Sequence, residues 1–123
     1  MRGWSMALAT AGCLCGAAGV ALAAAGAHRG ANPLAATAAT FLLVHAAAIT
    51  SLCALARPDA DAGLKATASL LAVGVVLFSG ELAAHALLGV QPLPMAAPTG
   101  GVLMIAGWLA SAVVLPLTLR RRG

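Results

Sequence analysis

The chain has 123 residues, 62% of them apolar and 8% charged, with a mean hydropathy of +1.00. Soluble domains run at about 45–50% apolar and about 25% charged, and one of this length buries only about two-thirds of its surface. A water-soluble globule is therefore excluded, and lipid is the solvent this composition calls for. The net charge of +4 rests on seven basic residues. With 3% aromatics and no basic face, that charge does not point to nucleic acid. Positive charge at the ends of membrane spans accounts for it.

Four apolar runs follow one another, each long enough to cross about 30 Å of hydrocarbon at about 1.5 Å per residue. The first predicts a helix over residues 6–27 and carries Gly12 and Gly16 in a GxxxG pattern, a spacing that lets helix backbones approach. Cys13 and Cys15 point about 200° apart on such a helix, and with Cys53 they make an odd, apolar set that suits packing better than disulfides or a chelate. "MRGW" followed by "ALAAAGA" resembles a cleaved signal, but the apolar run exceeds the usual h-region, so a retained helix is expected. The second run predicts a helix over 34–56, opened by Asn32 as N-cap and Pro33 at the first position. Asp59 and Asp61 are placed to cap a third helix over 64–89. Pro92, Pro94 and Pro98 separate it from a fourth over 99–119, where Gly100, Gly107 and Ser111 share one face. Those small residues serve either packing within the chain or a homo-oligomer face. The expected fold is all-α, a single-domain integral membrane four-helix bundle spanning residues 1–123.

With four spans, both termini and the middle loop share one side. That side holds Arg2, Arg57, Lys65, Arg120, Arg121 and Arg122, and the other only Arg29. The positive-inside rule then places both termini in the cytoplasm, with Trp4 at the inner interface.

Polar residues at depth are the candidate site. Glu81 falls about 12 Å, and His85 about 6 Å, below the outer end of the third helix. His45 lies about 16 Å below the outer end of the second, and His28 ends the first. Glu81 and His85 share a helix face at i and i+4. An ionisable group in a bilayer usually faces the bundle interior and finds a partner. Glu81 is therefore expected to point inward, with His85 or His45 as its nearest ionisable neighbour. Such a thread suits a packing device, a proton or cation relay through Glu81, or, without any compact ligand motif, a metal or haem site on His45 and His85. No P-loop, HExxH or GxSxG occurs. No enzymatic activity, metal or other cofactor is expected. Small multidrug transporters share the length and a single membrane glutamate, but theirs lies in the first helix among aromatics.

"GAH" at Gly26–His28, His45 in "FLLVHAAAI" after Phe41, "LFSG" at Leu77–Gly80, "APTGG" at Ala97–Gly101 and "AGW" at Ala106–Trp108 occur in this order. Together they resemble the small four-helix bacterial membrane proteins of the domain of unknown function 423 family, whose eukaryotic relatives are called transmembrane protein 256. The resemblance covers nearly the whole chain. It adds Gly101 and Trp108 to the helix-packing positions and puts His28 and His45 at motif positions. It brings no catalytic residue. The loop after "GAH" is shorter here than in many relatives, and Glu81 often stands as serine. The resemblance implies a multi-pass protein of the bacterial inner membrane without established activity. The reading that follows is a structural or interaction component, its partners the lipid bilayer and either a second copy or another membrane protein. The alternative is a small transporter or relay through Glu81.

Overall fold

The computed structural model describes residues 2–28, 30 and 32–123. They form four helices, α1 (Arg2–His28), α2 (Pro33–Leu55), α3 (Ala62–Leu88) and α4 (Ala96–Arg122). Each is long and apolar enough to cross a membrane by length and composition, so the all-α four-helix architecture expected from the runs is the one that forms. Arg29, the one basic residue expected at the outer end, lies outside the described residues.

The helices overrun the apolar runs. α1 begins at Arg2 and α4 ends at Arg122, not at residues 6 and 119. Helical hydrogen bonds do not require apolar side chains, and arginine stems cover apolar surface while their heads reach water. α4 begins at Ala96, three residues before the expected start, with Pro98 inside its first turn. A missing N–H costs nothing there, because first-turn donors have no intrahelical acceptor.

Helix caps divide by what competes for the side chain. Asn32 opens α2 as expected, its Oδ1 accepting from Leu34 N at 2.9 Å and Ala35 N at 3.3 Å. Its Nδ2 donates across to Ala86 O at 3.4 Å. Asp61 precedes α3 but does not cap it, which corrects the expectation; it sits in a left-handed conformation at φ 55°. Its carboxylate instead accepts from the Arg57 backbone N–H and Nε, both at 2.9 Å, from Arg57 Nη2 at 3.1 Å, and from Arg122 Nη2. Charged donors outbid neutral first-turn amides. These guanidinium and backbone bonds, Arg57's first, hold the Asp61 carboxyl well below the usual carboxylate range, and Asp61 in turn raises Arg57. Arg122 Nη2 also donates to Leu55 O at 2.7 Å, so the end of α4 is latched to the α2–α3 loop. Lys65, fully buried, donates its Nζ to Pro58 O in that loop at 2.6 Å.

Small residues set the helix spacing. The buried face of α1 is Leu8, Gly12, Cys15, Gly19, Leu22 and Gly26, alternating large and small at heptad spacing. A Cβ on Gly12 would stand 2.6 Å from Thr50 Cγ2, whereas one on Gly16 would make an ordinary 3.6 Å contact with Ala46. Between α3 and α4 the fit is tighter. A Cβ on Gly100 would meet Gly74 O at 2.5 Å and Phe78 N at 2.6 Å, and one on Gly107 would meet Leu71 Cδ2 at 2.7 Å. Gly101 has open space around it. In plan, α3 is central, packing on α2, on α4 and more lightly on α1. α1 and α2 form a close pair, and the α4 backbone approaches neither of them.

Candidate functional site

His45 is buried on α2, and both its ring nitrogens are occupied. Nδ1 lies 2.8 Å from Phe41 O, one turn back on the same helix. Nε2 lies 3.1 Å from Trp108 Nε1 on α4. A carbonyl oxygen only accepts and an indole N–H only donates. The geometry therefore assigns one tautomer, with the proton on Nδ1 and the Nε2 lone pair facing the indole. The rings reinforce this. Phe41 stacks on His45 at 5.8 Å and 13°, Trp108 meets it edge-on at 5.8 Å and 71°, and Phe41 touches Phe78 at 4.8 Å. Phe41, Phe78 and Trp108 are three of the chain's four phenylalanine and tryptophan residues. They fill the cleft between α2 and α4 that the backbones leave open.

Glu81 belongs to the C-terminal part of α3, on the side that faces α4. Gly100 lies against Gly74 and Phe78, so Ala96, about one turn earlier, is level with Glu81. α3 runs on to Leu88, about 10 Å further. The carboxylate therefore sits beside the start of a helix that begins deep. Glu81 Oε2 accepts from Leu93 N at 3.3 Å. The α4 N-cap, Met95, offers no side-chain cap, and Pro94 and Pro98 supply no N–H. A negative charge is favoured at this end of a helix by the backbone dipole. Glu81 Oε1 is buried without a hydrogen-bond partner.

The four expected polar residues are not gathered into one thread. Among the described residues, the ion pairs are those of Asp61 with Arg57 and Arg122, and Glu81 pairs with neither histidine. His85 is exposed and accepts through Nδ1 from Gln91 Nε2 at 3.1 Å. His28 is exposed at the end of α1. Among the described residues, no three His, Cys, Asp or Glu side chains gather closely enough to hold a metal ion. Of the expected packing positions, Gly12, Gly100 and Gly107 are tight, Gly16 is ordinary and Gly101 is open. Trp108 packs through its indole. Sequence reading missed the Leu93 amide and the pairing of Trp108 with His45. The i, i+4 spacing of Phe41 and His45 was the only local signal for the ring cluster.

A family model described as a protein of unknown function, DUF423, matches residues 22–101, well over half of the chain. The match takes in the "GAH", "FLLVH", "LFSG" and "APTGG" segments and stops short of "AGW". The chain belongs to this family. No solved structure matches it.

Proposed function

We propose that this DUF423 family member is a structural or interaction component of the bacterial cytoplasmic membrane, with both termini in the cytoplasm and no enzymatic activity of its own. Four apolar helices make it a multi-pass membrane protein. The orientation is supported by the basic residues at the end of the bundle that holds both termini. The observation that carries the role is His45. Its two nitrogens are spent on Phe41 O and Trp108 Nε1, which leaves no lone pair for a metal and no open acceptor for a moving proton. Glu81, likewise, holds the segment entering α4.

One observation favours a second reading, a proton or cation relay: Glu81 Oε1 is buried and unpaired. The two readings part on Glu81→Gln. The amide oxygen still accepts from Leu93 N–H, so a structural role predicts a folded protein weakened by about 1 kcal/mol, the difference between a charge-assisted and a neutral hydrogen bond. Proteoliposomes carrying a pH-sensitive dye should then show the same proton leak for wild type and variant. Wild-type flux that Glu81→Gln abolishes while the fold is kept would overturn the structural reading.

A further inference from the structure

The end of the bundle that holds both termini carries six of the chain's seven basic residues against Asp59 and Asp61. Part of that charge is gathered into one place. Asp61, with its side chain only 7% exposed, holds two guanidiniums on one oxygen. Its Oδ2 accepts from Arg57 Nε at 2.9 Å and from Arg122 Nη2, while Oδ1 takes Arg57 Nη2 at 3.1 Å. One carboxylate cannot neutralise two guanidiniums. The Arg57 side chain is 62% exposed and that of Arg122 26%. Among the described residues, no acceptor meets Nη1 of Arg57 or Nε and Nη1 of Arg122. Two forks of N–H donors are thus fixed side by side with capacity to spare. Beneath the same loop lies Lys65, fully buried, bonded to Pro58 O and in no ion pair among the described residues. Arg120 and Arg121 are exposed beside Arg122, and Asp59 pairs with none of these bases.

The surroundings of these forks are apolar on the membrane side. Leu119, three residues before Arg122, and Leu55, two before Arg57, are both exposed. At the same end Trp4 donates its indole N–H to Ser69 Oγ at 2.9 Å, an amphipathic ring of the kind that marks headgroup depth. The ligand that satisfies this arrangement has an anion with two free oxygens at one level and hydrocarbon directly below it. Guanidiniums grip phosphate oxygens through paired N–H groups, a geometry a lysine ammonium does not match. We propose that Arg57 and Arg122, gathered by Asp61, bind the phosphodiester of an anionic phospholipid, one per chain, with its acyl chains along Leu55 and Leu119. A zwitterionic headgroup brings a cation of its own, which Lys65, Arg120 and Arg121 repel. A glycerol headgroup brings none, so phosphatidylglycerol is the class that fits. The site is the same whichever way the chain is inserted, so this assignment stands apart from the proposed orientation.

The test is native mass spectrometry of the full-length chain, purified in mixed micelles with equal amounts of phosphatidylglycerol and phosphatidylcholine of the same acyl length. One basic residue near a membrane surface is worth about fivefold in affinity for an anionic lipid. Phosphatidylglycerol should therefore be preferred by about fivefold or more, with one molecule retained per chain. Arg57→Lys keeps the net charge and loses the fork, and should lose most of that preference. Arg2→Gln removes a charge at the same end, on a helix that does not contact α4, and should keep it. Both variants leave the bonds of Arg122 to Leu55 O and Asp61 in place, and circular dichroism checks that the helices persist. Equal retention of the two lipids by the wild type would overturn the proposal. So would wild-type preference in Arg57→Lys, or an equal loss in Arg2→Gln, because either makes the preference one of diffuse charge. Inorganic phosphate added at constant ionic strength should leave the lipid bound; its release would make the ligand a soluble phosphate and overturn the lipid assignment.

Discussion

Trp108→Phe isolates the bond that joins α4 to α2. It keeps an aromatic ring against His45 and deletes one N–H donor. The bond is neutral, 3.1 Å long and accepted by a ring that is 3% exposed. A neutral hydrogen bond contributes about 1 kcal/mol net, and interhelical bonds within membrane bundles average about 0.6 with a maximum near 1.7. Deletion also strands the His45 Nε2 lone pair away from water, which moves the expected loss to about 1–2 kcal/mol. That is a shift of about fivefold to thirtyfold in the unfolding equilibrium. The assay is reversible unfolding in mixed micelles, run as a double-mutant cycle with His45→Phe. A coupling of about 1 kcal/mol is expected. The ring nitrogens report independently: ¹⁵N NMR of wild-type His45 should show the proton on Nδ1, and Trp108→Phe should leave it there, because Phe41 O still accepts it, while shifting the Nε2 resonance that has lost its donor. A coupling below about 0.3 kcal/mol, within ordinary additivity, or an Nε2-protonated ring in the wild type would refute this account of the site.

Adjacent glycines of α4 should respond oppositely to alanine. Gly100→Ala drives a methyl into the backbone of Gly74 and Phe78, atoms that cannot step aside. Overpacking of about 1–3 kcal/mol should exceed the roughly 0.5–1 kcal/mol that alanine returns to a helix. Gly101→Ala meets open space and should stabilise by up to about 1 kcal/mol. Micellar unfolding of both variants checks the pair. Acid should act through Asp61. Its carboxyl is depressed in the folded protein, chiefly by Arg57, so below its ordinary value near 3.8 the unfolded chain binds more protons and stability rises with pH. The contribution is complete above that value and is lost as pH falls toward the folded-state value. Thermal unfolding at pH 6 and pH 3 should show Asp61→Asn destabilised at the higher pH and without this part of the acid loss.

The helices were legible because lipid imposes a coarse rule: about twenty apolar residues make a span. Asn32–Pro33 was legible because its cap is local, made within three residues of chain. Asp61 reads the same way in sequence, yet its carboxylate goes to Arg57 and to Arg122, 61 positions away. A local rule does not foresee a distant guanidinium. Glu81 was singled out for the right reason, an acid in an apolar run. Its partner is a backbone amide of the following loop, and amides carry no side-chain signature. His45 was expected as a partner by depth, and depth says nothing about which way around the axis a side chain points; His85 was expected by its shared face at i and i+4, yet one turn on it is exposed and bonded to Gln91. Glu81 lies on the face of α3 that α4 covers, and His45 is already held between Phe41 and Trp108.

The scattered polar residues acquire a common logic from α4. Its backbone packs on α3 alone, and in lipid no hydrophobic force draws a helix to its neighbours. Close glycine packing at Gly100 and Gly107 supplies van der Waals contact with α3 but nothing that reaches α2 or fixes the helix ends. Three tethers do that, one at each depth. Glu81 takes the Leu93 amide near the start of α4, Trp108 donates to His45 in the middle, and Arg122 grips Leu55 O and Asp61 at the end that holds both termini. The acceptors of the first two, Glu81 and His45, are buried, so those tethers are costly to leave unmade. An acid in the apolar run of α3 is then the consequence of a fourth helix that starts about 10 Å below the end of the third. Its first turn has no capping side chain of its own, and a carboxylate from the neighbouring helix holds the loop that leads into it through the Leu93 amide.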